Sequence, residues 1–163
     1  ALVHPGMYMY QRIRDPVIDR QMRASRVRFG ALSIERQDDL KGLVREMRRG
    51  IPFFYLPDQD AGRQRGIFAP FCGIPAATVP TLGRFAKLAD ALVLPLYAAY
   101  RPWGRGLDLI FGSPLTEFPS DDPARDTAIM NGVIEAQVHA MPAQYFWVHR
   151  RFKTRPAGEP KLY

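Results

Sequence analysis

One cysteine, Cys72, and three histidines are all the thiol and imidazole chemistry that this 163-residue sequence holds. A lone cysteine excludes a disulfide framework within the chain and offers no metal-ligand spacing; the histidines stand apart too, so no zinc site is expected. Long apolar runs are missing as well. The longest, Ala91 to Tyr100, has ten residues, far short of the ~20 that span a bilayer as a helix. No charged-then-apolar leader with a cleavage site is visible. The chain opens at Ala1 rather than at a methionine, and is read as processed or as a piece of something longer. Repeats, low-complexity segments and a dividing linker are absent, which leaves one domain, residues 1–163.

What is present suits a folded protein. Hydrophobic residues make up 47% and aromatics 12%, which excludes a disordered class, and the length allows a proper core. The net charge of +7 is uneven: residues 1–50 carry +5, residues 51–141 carry −2, and residues 142–163 carry +4. Basic ends of this kind attract phosphates, on nucleic acid, lipid headgroups or a phosphorylated substrate.

In order, Ala1–Tyr10 reads as a turn feeding a short strand. Asp15 is placed as an N-cap and Pro16 as a first-turn residue of a helix, with Ile18, Met22 and Phe29 on one face and Arg20, Arg23 and Arg28 on others. Arg12 and Arg14 sit between strand and helix, where a loop residue can point into a cleft. A second helix spans about Arg36 to Arg49 on Leu40, Leu43, Val44 and Met47. Asp38 and Asp39 open it, and Gly50 ends it. Ile51–Leu56 reads as a buried strand, Thr78–Ala89 as a helix, Ala91–Ala99 as a strand, and Leu107–Phe111 as an antiparallel edge strand after the turn at residues 102–106. Asp121–Ala140 is the last long helix, with Ile129, Val133 and Ala136 as its apolar face. This alternation predicts an α/β fold with a mostly parallel central sheet flanked by helices.

Two stretches invite chemistry. Asp58-Gln59-Asp60 follows an apolar run and precedes a Gly/Arg-rich turn, the place where open α/β sheets bind ligands; the plain alternative is that the acids punctuate a turn. The tail from Pro142, PAQYFWVHRRFKTRPAGEPKLY, is dense in aromatic and basic residues. It fits single-stranded nucleic acid, a membrane surface, or a core of Tyr145, Phe146 and Trp147 with Arg150, Arg151, Lys153 and Arg155 exposed. Composition slightly favours the last.

The tail YFWVHRRFKTRPAGEP resembles the C-terminal signature of the lipid A biosynthesis acyltransferases, the late lauroyl and myristoyl transferases of Gram-negative bacteria. The resemblance continues through Tyr10–Asp19, Arg26 and Gly30. It includes Pro57-Asp58-Gln59-Asp60-x-Gly62, Phe68-x-Pro70-Phe71-x-Gly73-x-Pro75-Ala76-Ala77-Thr78, and Asn131 with Glu135, and so covers nearly the whole chain. It implies a glycerolipid-acyltransferase-like α/β fold at the cytoplasmic face of the bacterial inner membrane, where the protein meets an anionic membrane surface. The implied reaction moves a fatty acyl group from an acyl carrier protein thioester to a hydroxyacyl chain of a phosphorylated, Kdo-bearing lipid A precursor, with no cofactor and no nucleic acid. Arg12, Arg14 and Arg26 would answer the acceptor's negative charges. Asp58, Gln59 and Asp60 would correspond to the superfamily's acidic-Gly motif on the acceptor side, with only one of the two aspartates facing a cleft because alternate residues of a strand point to opposite sides.

Two departures matter. The family's histidine base with an acid five residues on has no counterpart here: Met9, Gln144 and Thr154 follow His4, His139 and His149. In the family that motif lies upstream of the segment matching Tyr10. The expectation is therefore a C-terminal portion of a longer enzyme, its anchor also upstream, with no catalytic residue of its own and no activity alone. Gln11 also stands where the family has arginine, and the guanidinium fork is lost there. The remaining alternatives are a related acyltransferase acting on a glycolipid or phosphatidylinositol mannoside, and a non-catalytic basic module that binds membrane or nucleic acid.

Overall fold

A computed structural model describes residues 5–35 and 40–163. The chain divides into two compact units. The first comprises residues 1–56 and 88–91, the second residues 57–87 and 92–163.

The first unit is built on a three-stranded parallel sheet in the order β2-β1-β3, with β1 at Met7–Tyr10, β2 at Leu32–Glu35 and β3 at Phe53–Phe54. Helices α1 (Pro16–Val27) and α2 (Leu40–Arg48) form the crossovers. Asp15 caps α1 as expected, accepting from the amides of Val17 at 2.9 Å and Ile18 at 3.0 Å. Leu43 of α2 is wholly buried, and the chain leaves this helix through Gly50 at φ 86°. The placement of Asp38 and Asp39, and the start of α2 at Arg36, lie outside the described residues.

Two expectations are corrected in this unit. Ile51–Leu56 is not a buried strand: only Phe53–Phe54 pairs, while Phe54 and Leu56 are exposed. Pro52 within this segment and Pro57 just after it supply no N–H to a ladder. Ile18 and Met22 of α1, and Phe29 beyond its end, are also exposed; the one buried residue of α1 is Asp19.

The second unit departs from the predicted parallel sheet. Its strands form two antiparallel hairpins, β4 (Ile67–Phe71) with β5 (Ile74–Thr78), and β6 (Leu96–Tyr100) with β7 (Leu107–Phe111). The edge-strand reading of Leu107–Phe111 holds, but residues 74–78 are strand and end where a helix was expected to start. Helix α3 runs over Thr81–Ala89, because Val79 precedes Pro80 and is steered away from helical backbone angles. Helix α4 (Pro123–Ala140) packs on β4. Its buried stripe is Asp126, Thr127, Met130, Asn131 and Val138, not the expected Ile129, Val133 and Ala136. The rotation has a polar cause, set out below. Phe71, Ala76, Val138 and Phe152 form the apolar core of this unit.

Candidate functional site

In the second unit the Asp-Gln-Asp segment and the C-terminal tail, some ninety residues apart in sequence, meet. Asp60 forms an isolated antiparallel bridge with Thr78 at the end of β5. Its carboxylate accepts from the Gly62 amide at 2.9 Å, the Thr154 amide at 2.8 Å and the Thr154 hydroxyl at 2.8 Å. Three donors on one carboxylate make it a clamp that fixes the tail onto the hairpin. Gly66, in the same turn, has no room for a side chain: a Cβ there would stand 2.9 Å from the Gly62 carbonyl.

Beneath the clamp lies a buried polar knot. Arg151 is 0% exposed and donates to the Ala77 carbonyl at 3.2 Å, to Thr78 Oγ1, and to Asn131 Oδ1 at 3.2 Å. Its guanidinium also lies over the Phe71 ring, 5.3 Å from the centroid. Asn131 Nδ2 donates to the Pro70 carbonyl at 3.0 Å and to Thr78 Oγ1 at 3.2 Å. That pair of bonds turns the Asn131 side of α4 inward and accounts for the rotated stripe. Burial pulls the Arg151 guanidinium below its usual range, while the charges of Tyr145, Asp58 and Asp60 oppose the shift. Arg155 is nearly as buried, donating to the Pro75 carbonyl at 2.8 Å and pairing with Glu159. Among the described residues, Arg151 Nε and Arg155 Nε are buried without a partner.

Half-buried Asp58 acts upward from this knot. Burial, then the Asp58 charge, pushes the Tyr145 phenol well above its ordinary value. The Tyr145 hydroxyl lies 3.4 Å from His149 Nε2, and its ring meets those of Trp147 and His149 edge-on. Gln59 is exposed. The charges of Asp58 and Asp60 both favour the charged form of Arg151. The favoured reading of the tail holds in part: Tyr145 packs against the core and Arg150 and Lys153 are exposed, but Phe146 and Trp147 are exposed and Arg151 and Arg155 are buried. Thr78, Asn131, Tyr145, Arg151 and Thr154 were missed as members of the site. Their motifs stood out in sequence, but nothing in their spacing tied one to another.

The remaining candidates belong to the first unit. Arg12, Arg14 and Arg26 are all exposed. The Arg26 guanidinium lies 5.3 Å from the Tyr8 ring centroid and 5.7 Å from that of Tyr10, with Arg23 also over Tyr10 at 5.8 Å. An aromatic face holds a guanidinium by its quadrupole and leaves the N–H edge for an anion. Below this shelf, Tyr10 donates to the buried Asp19 carboxylate, and the Ile13 amide donates to the same oxygen at 2.7 Å. These two bonds, the tyrosine first, hold the Asp19 carboxyl below the usual range. Asp19 therefore fixes the loop that carries Arg12 and Arg14.

The model of the family described as bacterial lipid A biosynthesis acyltransferase matches residues 1–154 of the chain. The chain is similar to the lipid A biosynthesis lauroyltransferase of Escherichia coli K12, 35% identical over 100% of this chain and 53% of that protein. It is 34% identical to a lipid A biosynthesis acyltransferase of Haemophilus influenzae, over 95% of this chain and 48% of that protein. With the lipid A biosynthesis myristoyltransferase of E. coli K12 the identity is 32%, over 95% and 48%. The chain spans about half the length of the curated relatives it matches.

Proposed function

The chain belongs to the bacterial lipid A biosynthesis acyltransferases, and on that premise we propose that it is the acceptor-handling portion of such an enzyme. In this reading the whole protein has a glycerolipid-acyltransferase-like fold and works at the cytoplasmic face of the inner membrane. It moves a fatty acyl group from acyl carrier protein to a hydroxyacyl chain of a phosphorylated Kdo-lipid A precursor. The family match over residues 1–154 carries the proposal. Exposed Arg12, Arg14 and Arg26 support it, because they offer guanidinium edges to the acceptor's phosphates and sugar acids. Asp58 and Gln59 supply the polar acceptor contacts, and Asp60 holds their loop in place. Contact with the membrane is through anionic headgroups; no helix among the described residues is long and apolar enough to cross a bilayer.

The general base comes from a histidine paired with an acid, a pairing of family spacing that His4, His139 and His149 do not make. Acyl transfer by the 163 residues alone is accordingly expected to be undetectable, and turnover at a rate like that of the relatives would refute this assignment. The binding half of the proposal is tested by titrating the chain with nanodiscs holding the phosphorylated acceptor or its dephosphorylated form, with an oligonucleotide as competitor. Tighter binding of the phosphorylated form that resists the competitor supports the reading. Equal binding of both forms, or displacement by the oligonucleotide, contradicts it.

A further inference from the structure

Cys72, Glu135 and His139 are scattered in sequence, yet the β4–β5 turn and helix α4 bring them together. The cysteine sulfur, a carboxylate oxygen and an imidazole nitrogen all lie within 4.8 Å of one another. Glu135 Oε1 and His139 Nε2 stand 3.5 Å apart across one helical turn. That is close to the ligand-to-ligand edge of a tetrahedral site with bonds of about 2.0–2.3 Å. The other Glu135 oxygen accepts from the Cys72 amide at 2.7 Å, which fixes the carboxylate and leaves Oε1 turned toward the histidine.

The position of Cys72 adds to this. It is the first central residue of a two-residue hairpin turn, at φ 50°, followed by Gly73 at φ 72°. Turns with two positive φ values favour Asn, Asp and Gly, so the hairpin itself has no need of cysteine there. The thiol is half-buried against the rim of the apolar core.

We propose that Cys72, Glu135 and His139 bind a divalent transition-metal ion of the zinc class, with water as the fourth ligand, so that the metal ties the β4–β5 turn to α4. Thiolate, imidazole and carboxylate together favour a borderline-soft ion over magnesium or calcium. Binding exchanges the S–H bond of Cys72 for a sulfur–metal bond and releases the proton to solvent. The remaining adjustment is small, because the His139 side chain is 68% exposed and can swing.

The test is a Co2+ titration of the reduced full chain, followed by displacement with Zn2+. Cys72 is the single cysteine, so a thiolate-to-cobalt charge-transfer band can report no other site. The band should saturate at one ion per chain and vanish in Cys72→Ser. In His139→Ala the Zn2+ affinity should fall by more than the ~10–100-fold that loss of an outer-shell partner costs. Far-ultraviolet circular dichroism checks that both variants keep the fold. No charge-transfer band at saturating Co2+ in the unmodified chain, or an unchanged Zn2+ affinity in folded His139→Ala, overturns the proposal.

Discussion

In the first unit Arg26 stands in solvent over two tyrosine rings, and in the second Arg151 is sealed among a backbone carbonyl, a threonine and an asparagine. Both arginines come from basic ends of the chain and count equally toward its net charge. Their physical roles are opposite. A guanidinium stacked on aromatics keeps donors for a ligand, whereas one that ties strand β5 to helix α4 has spent them on the fold. Charge counts therefore overstate how many cations the tail presents to solvent.

The comparison breaks first at Arg151. Replacement by Met should destabilise the second unit by about 3–5 kcal/mol, since three buried oxygens lose their donor at about 1–3 kcal/mol each. Chemical denaturation measures this, and a loss under ~1 kcal/mol, the scale of an exposed ion pair, would place Arg151 among the surface cations after all. Next come the aspartates. Asp60→Ala, which frees three donors, should cost about 2–3 kcal/mol, and Asp58→Asn under ~1 kcal/mol; equal losses in the two melts would remove the distinction between clamp and ligand group.

The buried charge on α1 is an acid, Asp19, and it sharpens the contrast through pH. Its folded pKa is depressed, so its contribution is present above the ordinary carboxylate range and disappears as pH falls through the lowered value. Tyr10→Phe removes the largest cause of that depression. The carboxyl titration of Asp19, followed by NMR, should move upward in this variant, and an unmoved titration would deny the tyrosine its role. Smallest in stability is Arg26→Ala: losing exposed cation–π contacts should cost no more than ~1 kcal/mol.

Sequence reading succeeded where local rules dominate. The Asp15 cap, the Gly50 exit, the β7 edge strand and the bulk of α2 and α4 follow from capping, glycine and periodicity. It failed where long-range polar bonds override pattern. The α4 stripe turned because Asn131 bonds to the Pro70 carbonyl, and Arg151 and Arg155 turned inward because the carbonyls of Ala77 and Pro75 on β5 accept from them. The parallel-sheet expectation missed the Cys72-Gly73 turn, which closes β4 and β5 as a hairpin within what read as a single apolar stretch. The motif Asp-Gln-Asp was visible from its residues, but its attachment to Thr154 was not, because no short-range signal joins positions 60 and 154.

The account rests on the division between binding and structural arginines, and the affinity of the Arg26→Ala chain for a phosphorylated acceptor in nanodiscs tests it most directly. The prediction is at least a tenfold loss for the phosphorylated form, about 1.4 kcal/mol, with the dephosphorylated form and the melting temperature little changed. Unchanged affinity for the phosphorylated form, in a chain that melts as before, would contradict it.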